Sequence, residues 1–222
     1  MHCRNIKQRV KTARGRTVSS VMWLQRHLND VYVTMAAKNG YRSRASFKLL
    51  EIEEKFQILK GAENILDIGA APGGWLQVVK EKASNAVNLV GVDLQKIQPM
   101  EGVTLIQGDF LELMQDEQFV KLCPMKLDLI LSDVAFNSCG DNAIDHVRIV
   151  QFVFSALEFA ISTLNPGRHF IAKLLKGGED KDVLLLAKKH FKCARFFKPK
   201  ASYKDSSELY LIALGFCGQH SS

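Results

Sequence analysis

The sequence predicts an α/β fold, a doubly wound sheet that is mostly parallel with an antiparallel last strand, preceded by a basic helical arm. Three observations predict it. From residue 64 onward, short apolar runs ending in Asp or Gly alternate with helix-length stretches, the rhythm of a parallel sheet covered by helices. The last two β-like runs, Cys193–Lys198 and Glu208–Phe216, are joined by a polar loop without a helix, so they pair antiparallel. Charge marks the arm. Residues 1–48 hold eleven Lys/Arg and one acid, Asp30, a balance of +10 in a chain whose net charge is +7. Residues 49–222 therefore carry −3. The division expected is a basic N-terminal arm over 1–40 and a main domain over 41–222.

In chain order, Ser19-Ser20 is expected to cap a short helix carrying Val21, Trp23, Leu24 and Leu28. Asp30 is expected to cap a second, ending near Gly40, with Trp23 and Tyr32 packing these helices onto the body. Ser43 precedes a third helical pattern with Phe47, Leu50 and Phe56 on one face and Lys48 beside them. Asn64–Gly69, Asn88–Asp93, Val103–Gln107, Leu127–Ser132 and His169–Leu174 read as strands. Helical segments are predicted near 73–82, 115–122, 145–163 and 180–190. At 222 residues and 47% hydrophobic content, the chain suits one domain with a full core. No apolar run approaches the roughly 20 residues of a membrane span. The five cysteines are scattered without a CxxC pair, which argues against a disulfide framework or a metal site and for a reducing compartment.

The strongest local signal is Ile65-Leu66-Asp67-Ile68-Gly69-Ala70-Ala71-Pro72-Gly73-Gly74-Trp75. An apolar strand enters a small-residue turn and then a helix, whose first turn suits Pro72. Free N–H groups at a helix start and small side chains let a ligand approach the backbone. A dinucleotide fingerprint would read G-x-G-x-x-G, but Ala71 holds its second glycine position. Asp93, 24 residues after Gly69, ends the next strand, where a carboxylate accepts ribose hydroxyls. Asp109, followed by Phe110, is placed to accept an adenine amino group. Three acids after three strands, with the glycine turn first, point to an adenosine cofactor. S-adenosylmethionine stands ahead of NAD, because a parallel sheet closed by an antiparallel strand is the Rossmann-like pattern of class I S-adenosylmethionine-dependent methyltransferases.

Tyr41–Leu49, Asp67–Trp75, Ser132-Asp133-Val134-Ala135-Phe136-Asn137, Ala172-Lys173 and Glu208-Leu209-Tyr210 together resemble the FtsJ/RrmJ (RlmE) family of ribosomal RNA 2′-O-methyltransferases, in unbroken order over about residues 17–216. The resemblance implies methyl transfer from S-adenosylmethionine to a uridine ribose 2′-hydroxyl in large-subunit ribosomal RNA. It implies Lys48, Asp133, Lys173 and Glu208 as catalytic residues, and Gly73, Trp75, Asp93, Asp109 and Asp133 as cofactor-lining ones. Asp67, Gly69, Pro72, Gly74 and Phe110 complete the expected cofactor set. A ribose hydroxyl is a poor nucleophile, so the site must position it, take its proton and tolerate a developing alkoxide. Lys173 is expected as the base and Lys48 as its electrostatic partner, with Asp133 and Glu208 orienting them.

Two departures stand out. Phe136 occupies the proline position of the family's Asp-x-Ala-Pro-Asn, offering either a stacking face or inward packing. Ser202-Tyr203-Lys204 replaces a Ser-Arg pattern, so one expected phosphate-binding cation is missing or displaced. Arg42 and Arg44 are expected to grip phosphates, and Arg4–Arg16 reads as an RNA-contacting arm or, alternatively, a solubilising tail. The expected partner is large-subunit ribosomal RNA within the assembled subunit, met by a monomer in a bacterial cytoplasm or an organelle matrix. A transfer-RNA loop, an mRNA cap, or a non-catalytic ribosome-assembly role remain the alternatives.

Overall fold

The computed structural model describes residues 15, 18–83, 88–122, 126–136, 139–177 and 180–218. The basic stretch Arg4–Arg16 (Gly15 apart), Cys3, Cys123, Asn137 and the side chain of Trp23 lie outside the described residues. Among those described, seven strands form one sheet in the order β3-β2-β1-β4-β5-β7-β6. They are β1 (Asn64–Ile68), β2 (Asn88–Asp93), β3 (Val103–Gln107), β4 (Leu127–Ser132), β5 (Leu164–Leu175), β6 (Phe191–Phe197) and β7 (Glu208–Phe216). β7 slots antiparallel between β5 and β6, and the β1–β5 pairs are all parallel. The doubly wound sheet with an antiparallel last strand is therefore present as the sequence predicts.

Two cores cover its faces, as period-2 alternation along buried strands requires. On one face α7 (Asn142–Thr163) and α8 (Asp180–His190) bury Val153, Leu157 and Val183 against Leu66, Ile130 and Leu211. On the other, α3 (Ser46–Phe56) and α4 (Gly74–Lys82) bury Leu49, Ile52, Leu76 and Val79 against Ile65, Leu131, Ile171 and Ile212. Each such side chain removed from water stabilises the fold by about 1.5–3 kcal/mol. Lys173 and Tyr210 lie two residues from Ile171 and Ile212, so the strands present all four on one face, the one that α3 covers.

Several local expectations are corrected. α1 (Val18–Leu28) begins before Ser19-Ser20, which are its first turn and not its cap. α2 (Val31–Asn39) is capped by Asp30, whose side chain accepts from the Tyr32 N–H, and closes on Gly40 in the left-handed region. α3 starts at Ser46, three residues after Ser43, and has no side-chain cap. Pro72 precedes α4; Gly73, left-handed at φ 107°, is the N-cap in its place. α6 (Glu117–Leu122) is the helix expected near 115–122, and a short α5 (Phe110–Leu113) precedes it unexpected. α7 opens at Asn142 because the Asp141 carboxylate accepts from Ala143 and Ile144 N–H groups. No described helix is long and apolar enough to cross a membrane.

Candidate active site

The antiparallel β5–β7 pair sets Lys173 opposite Tyr210 and Leu175 opposite Glu208. Glu208 and Tyr210 are two residues apart on one strand and so share a face. Asp133 follows the end of β4, which pairs with β5 at Ser132↔Ala172. α3 brings Lys48 from above. It is 5% exposed and Lys173 is 8% exposed, although a helix-face lysine is ordinarily solvated. Burial of two ammonium groups demands partners, and the partners are present. Lys173 Nζ donates to the Asp133 carbonyl at 2.8 Å and lies 3.1 Å from Asp133 Oδ1. Lys48 Nζ is 2.7 Å from Glu208 Oε1 and 3.6 Å from Asp133 Oδ1. All four residues expected to be catalytic are thus brought into one cluster of two cations and two carboxylates.

Two further residues complete it. The Tyr210 hydroxyl, fully buried, lies 2.6 Å from Asp133 Oδ1 and 3.2 Å from Glu208 Oε1, one proton set between two carboxylates. Ser202 Oγ donates to Glu208 Oε1 at 2.8 Å. Burial acts to raise both carboxyls, but the lysines outweigh it. Lys173, Lys48 and the Tyr210 hydroxyl hold Asp133 below its ordinary value, and Lys48 with Lys173 does the same for Glu208 against the opposing charge of Asp133. Burial, then Asp133 and Glu208, pushes the Tyr210 hydroxyl well above its usual range. Tyr210 had a sequence signal, since it shares the alternation of Glu208. Ser202 stood in the sequence only as part of Ser202-Tyr203-Lys204, and its contact with Glu208 had no signal there because it crosses a turn.

Beside this cluster, a cavity of about 440 Å³ opens at the carboxyl ends of β1, β2 and β4, lined by Gly69, Asp93, Asp109, Phe110, Asp133 and Phe136 among others. Such strand ends are where open α/β sheets bind ligands. Asp93 is fixed by Ala71 N–H and Gln95 N–H, at 2.9 and 2.7 Å. Asp109 doubles as the N-cap of α5, accepting from Leu111 N–H at 2.9 Å. Asp67 is 1% exposed, and neither carboxylate oxygen has a hydrogen-bond partner among the described residues. Burial, with Asp133 and Asp93 nearby, pushes it well above the carboxylate range. An over-negative cavity with an orphaned acid beside it fits a cationic adenosine compound such as S-adenosylmethionine, and fits a pyrophosphate poorly.

The rest of the expected cofactor set lies outside that cavity's lining. Trp75 is buried against Tyr210 at 5.9 Å between centroids, its indole N–H held by Ala45 O at 2.8 Å. A Cβ on Gly74 would run into Ser43 Oγ and lie 2.8 Å from Ser46 Oγ, so this glycine serves the close approach of α3. One on Gly69 would lie 2.5 Å from the Val134 side chain. Near Gly73 and Pro72 sits Arg42, whose guanidinium donates to Pro72 O, Gln98 O and Pro99 O at 3.2, 2.9 and 3.0 Å. Arg44 bonds Asp30 at 2.7 Å and the Ala201 carbonyl, and stacks over Tyr203 at 4.0 Å. Arg42 and Arg44, expected to grip phosphates, turn these donors to loop carbonyls and to Asp30 instead. Phe136 packs its edge on Phe152 of α7 at 5.8 Å, as the inward reading expects, yet still lines the cavity. Tyr32 packs on Phe47 at 5.5 Å, as expected.

Comparison with known proteins bears on this site. The profile of the FtsJ-like methyltransferases matches residues 41–216. Ribosomal RNA large subunit methyltransferase E of Novosphingobium aromaticivorans is 48% identical over 216 residues, covering 97% of each chain. The protein of that name from Zymomonas mobilis is 48% identical over 212 residues, covering 96% of each. A solved structure from Plasmodium falciparum, described as a ribosomal RNA methyltransferase, superposes with a TM-score of 0.71 at 30% identity. It spans 81% of this chain and 100% of that one.

Proposed function

Because the chain belongs to the FtsJ-like methyltransferase family, we propose that it methylates a ribose 2′-hydroxyl of a uridine in large-subunit ribosomal RNA, with S-adenosylmethionine as cofactor. The bacterial relatives that match over nearly their full length carry the name ribosomal RNA large subunit methyltransferase E, which supports the RNA class and a cytoplasmic place of work; the assembled subunit is the form of substrate proposed. The observation that carries the 2′-O chemistry is the buried Lys48–Asp133–Lys173–Glu208 cluster. It stands where the 440 Å³ cavity meets a second cleft that Lys173 and Glu208 line.

When bound, S-adenosylmethionine supplies a methyl group on a positively charged sulfur, and transfer makes a C–O bond, breaks the C–S bond and frees the hydroxyl proton. The chain's own residues do the rest. Lys173, in its amine form, takes that proton at Nζ. Lys48, clasped by Glu208, supplies a fixed positive charge to the oxygen as it becomes alkoxide-like. Asp133 orients Lys173 through both its carbonyl and its carboxylate. Ser202 and Tyr210 fix Glu208, so the Lys48 ammonium has one position to occupy.

The test supplies labelled S-adenosylmethionine with unmethylated large subunits, bare ribosomal RNA and transfer RNA, then digests the RNA and maps the modified nucleoside. Label in 2′-O-methyluridine of large-subunit RNA is expected. Label on a base, label mainly in transfer RNA, or no transfer by the folded protein overturns the reading.

A further inference from the structure

The cleft on the far side of the catalytic cluster measures about 680 Å³ and is lined by Phe136, His146, Ile149, Lys173, Lys176 and Glu208 among others. That volume admits one nucleotide. Phe136 also lines the cofactor cavity, so its ring stands at the junction, three residues beyond Asp133. α7 pins the ring in place. The Arg148 guanidinium carbon lies 4.9 Å from the ring centroid, and Phe152 meets it at 5.8 Å with planes 79° apart. An aromatic ring fixed from two sides, half-buried, and bordering a cleft next to the catalytic lysine is a stacking surface made ready in advance.

His146 lies on α7 one position upstream of Val147 and faces the same cleft. Both its ring nitrogens are buried and have no hydrogen-bond partner among the described residues. The imidazole rests on Gly177, where an added Cβ would lie 2.6 Å from Nδ1 and closer still to Cε1 and Nε2. Unpaired buried polar atoms are uncommon and call for an explanation. A ligand edge carrying donors and acceptors is one, reached when the imidazole turns a nitrogen into the cleft.

Resting on the ribose-methylation reading above, we propose that Phe136 and His146 select the target nucleotide, Phe136 by stacking on its unpaired base and His146 by a hydrogen bond to the base edge. Every base has a π face, and in RNA only an unstacked base in a loop, bulge or flipped position can present it to a side chain. The substrate is therefore a nucleotide outside regular duplex, with its base in the 680 Å³ cleft and its 2′-oxygen toward Lys173.

Steady-state kinetics on unmethylated large subunits test this with Phe136→Leu, Phe136→Tyr and His146→Ala, varying RNA and S-adenosylmethionine separately. Melting temperature and S-adenosylmethionine affinity report folding and the cofactor cavity. Phe136→Leu, which keeps apolar bulk and loses the π face, is expected to raise KM for RNA about tenfold, a larger change than any in cofactor affinity. Phe136→Tyr should stay within about twofold of the native protein, and His146→Ala should raise KM for RNA about fivefold. Native KM for RNA in Phe136→Leu and His146→Ala overturns the proposal, as does an effect confined to cofactor affinity. A native protein that transfers no methyl group overturns the function reading itself, a result distinct from native transfer with indifferent variants.

Discussion

Asp67 and Asp133 are carboxylates of one site whose protons are governed in opposite senses. Asp133 is held below its ordinary value by Lys173 and Lys48 acting against burial, so its contribution to stability is present above the unfolded carboxylate value and is lost as pH falls through the lowered folded one. Asp67 is raised by burial and by the charges of Asp133 and Asp93. The folded state therefore holds its proton longer than the unfolded chain does, and stability falls as pH climbs from the unfolded value to the raised one. Asp67→Asn removes that fall. Without cofactor, its melting temperature should equal that of the native protein near pH 3 and exceed it by about 2–4 °C at pH 7, the shift that roughly 1 kcal/mol gives a chain of this size. Thermal melts across pH check this, and a gap that shrinks toward neutrality would contradict it. Lys173→Met tests the base directly. It keeps the apolar stem and removes the proton acceptor, so kcat should fall by at least about 100-fold while calorimetry finds cofactor binding retained.

Elements reach the site through close contacts that single substitutions can break. α3 carries Lys48, and it lies against the start of α4 because Gly74 has no side chain; Ser46 Oγ donates to Gly74 O at 3.0 Å across the contact. Gly74→Ala is expected to destabilise by about 1–3 kcal/mol through overpacking and to lower kcat by moving Lys48, with Ser43→Ala in the same chain restoring part of both. Arg44, just before α3, pairs with Asp30 at the start of α2 and donates to the Ala201 carbonyl of the β6–β7 loop, with Asp30 only 4% exposed on its side chain. Breaking a pair this buried costs about 3–5 kcal/mol, so Arg44→Ala should lower the melting temperature markedly. A phosphate-gripping Arg44 would lose RNA affinity with little change in melting. The strands were legible because each apolar run ends at a polar residue, and the β2, β3, β4 and β7 bounds match the sequence reading to the residue. β5 begins at Leu164, five residues earlier than expected, and takes in Asn165-Pro166-Gly167. The four-residue cluster was legible through motif order. The burial of Lys48, the Ser202 contact and the unpaired nitrogens of His146 were not, since each depends on which distant segment covers the residue, and periodicity carries no record of that.

At the scale of the molecule, the charge asymmetry divides again. Of the eleven cations in residues 1–48, Arg26 is engaged by Asp205 at 2.5 Å, Arg42 by three carbonyls, Arg44 by Asp30 and Lys48 by Glu208. Those four serve the fold and the active site. Lys38 aside, the other six are Arg4, Lys7, Arg9, Lys11, Arg14 and Arg16, a run without hydrophobic periodicity that lies outside the described residues and is expected from the sequence to meet a polyanion. Each cation that neutralises an RNA phosphate releases counterions and adds about 0.7–0.9 to the slope of log affinity against log salt. Replacing all six by Gln should therefore weaken binding to large subunits at low salt and flatten that slope by about 4–5. Catalysis at saturating RNA should persist, because none of the six lies in the Lys–Asp–Lys–Glu cluster. Arg42→Gln serves as the control. Its guanidinium holds backbone carbonyls, so it should leave the slope unchanged and lower the melting temperature instead. Binding titrations at several ionic strengths separate the outcomes. An unaltered slope in the six-fold variant would make the segment a solubilising tail, and a slope that falls equally in Arg42→Gln would return that arginine to the phosphate contacts.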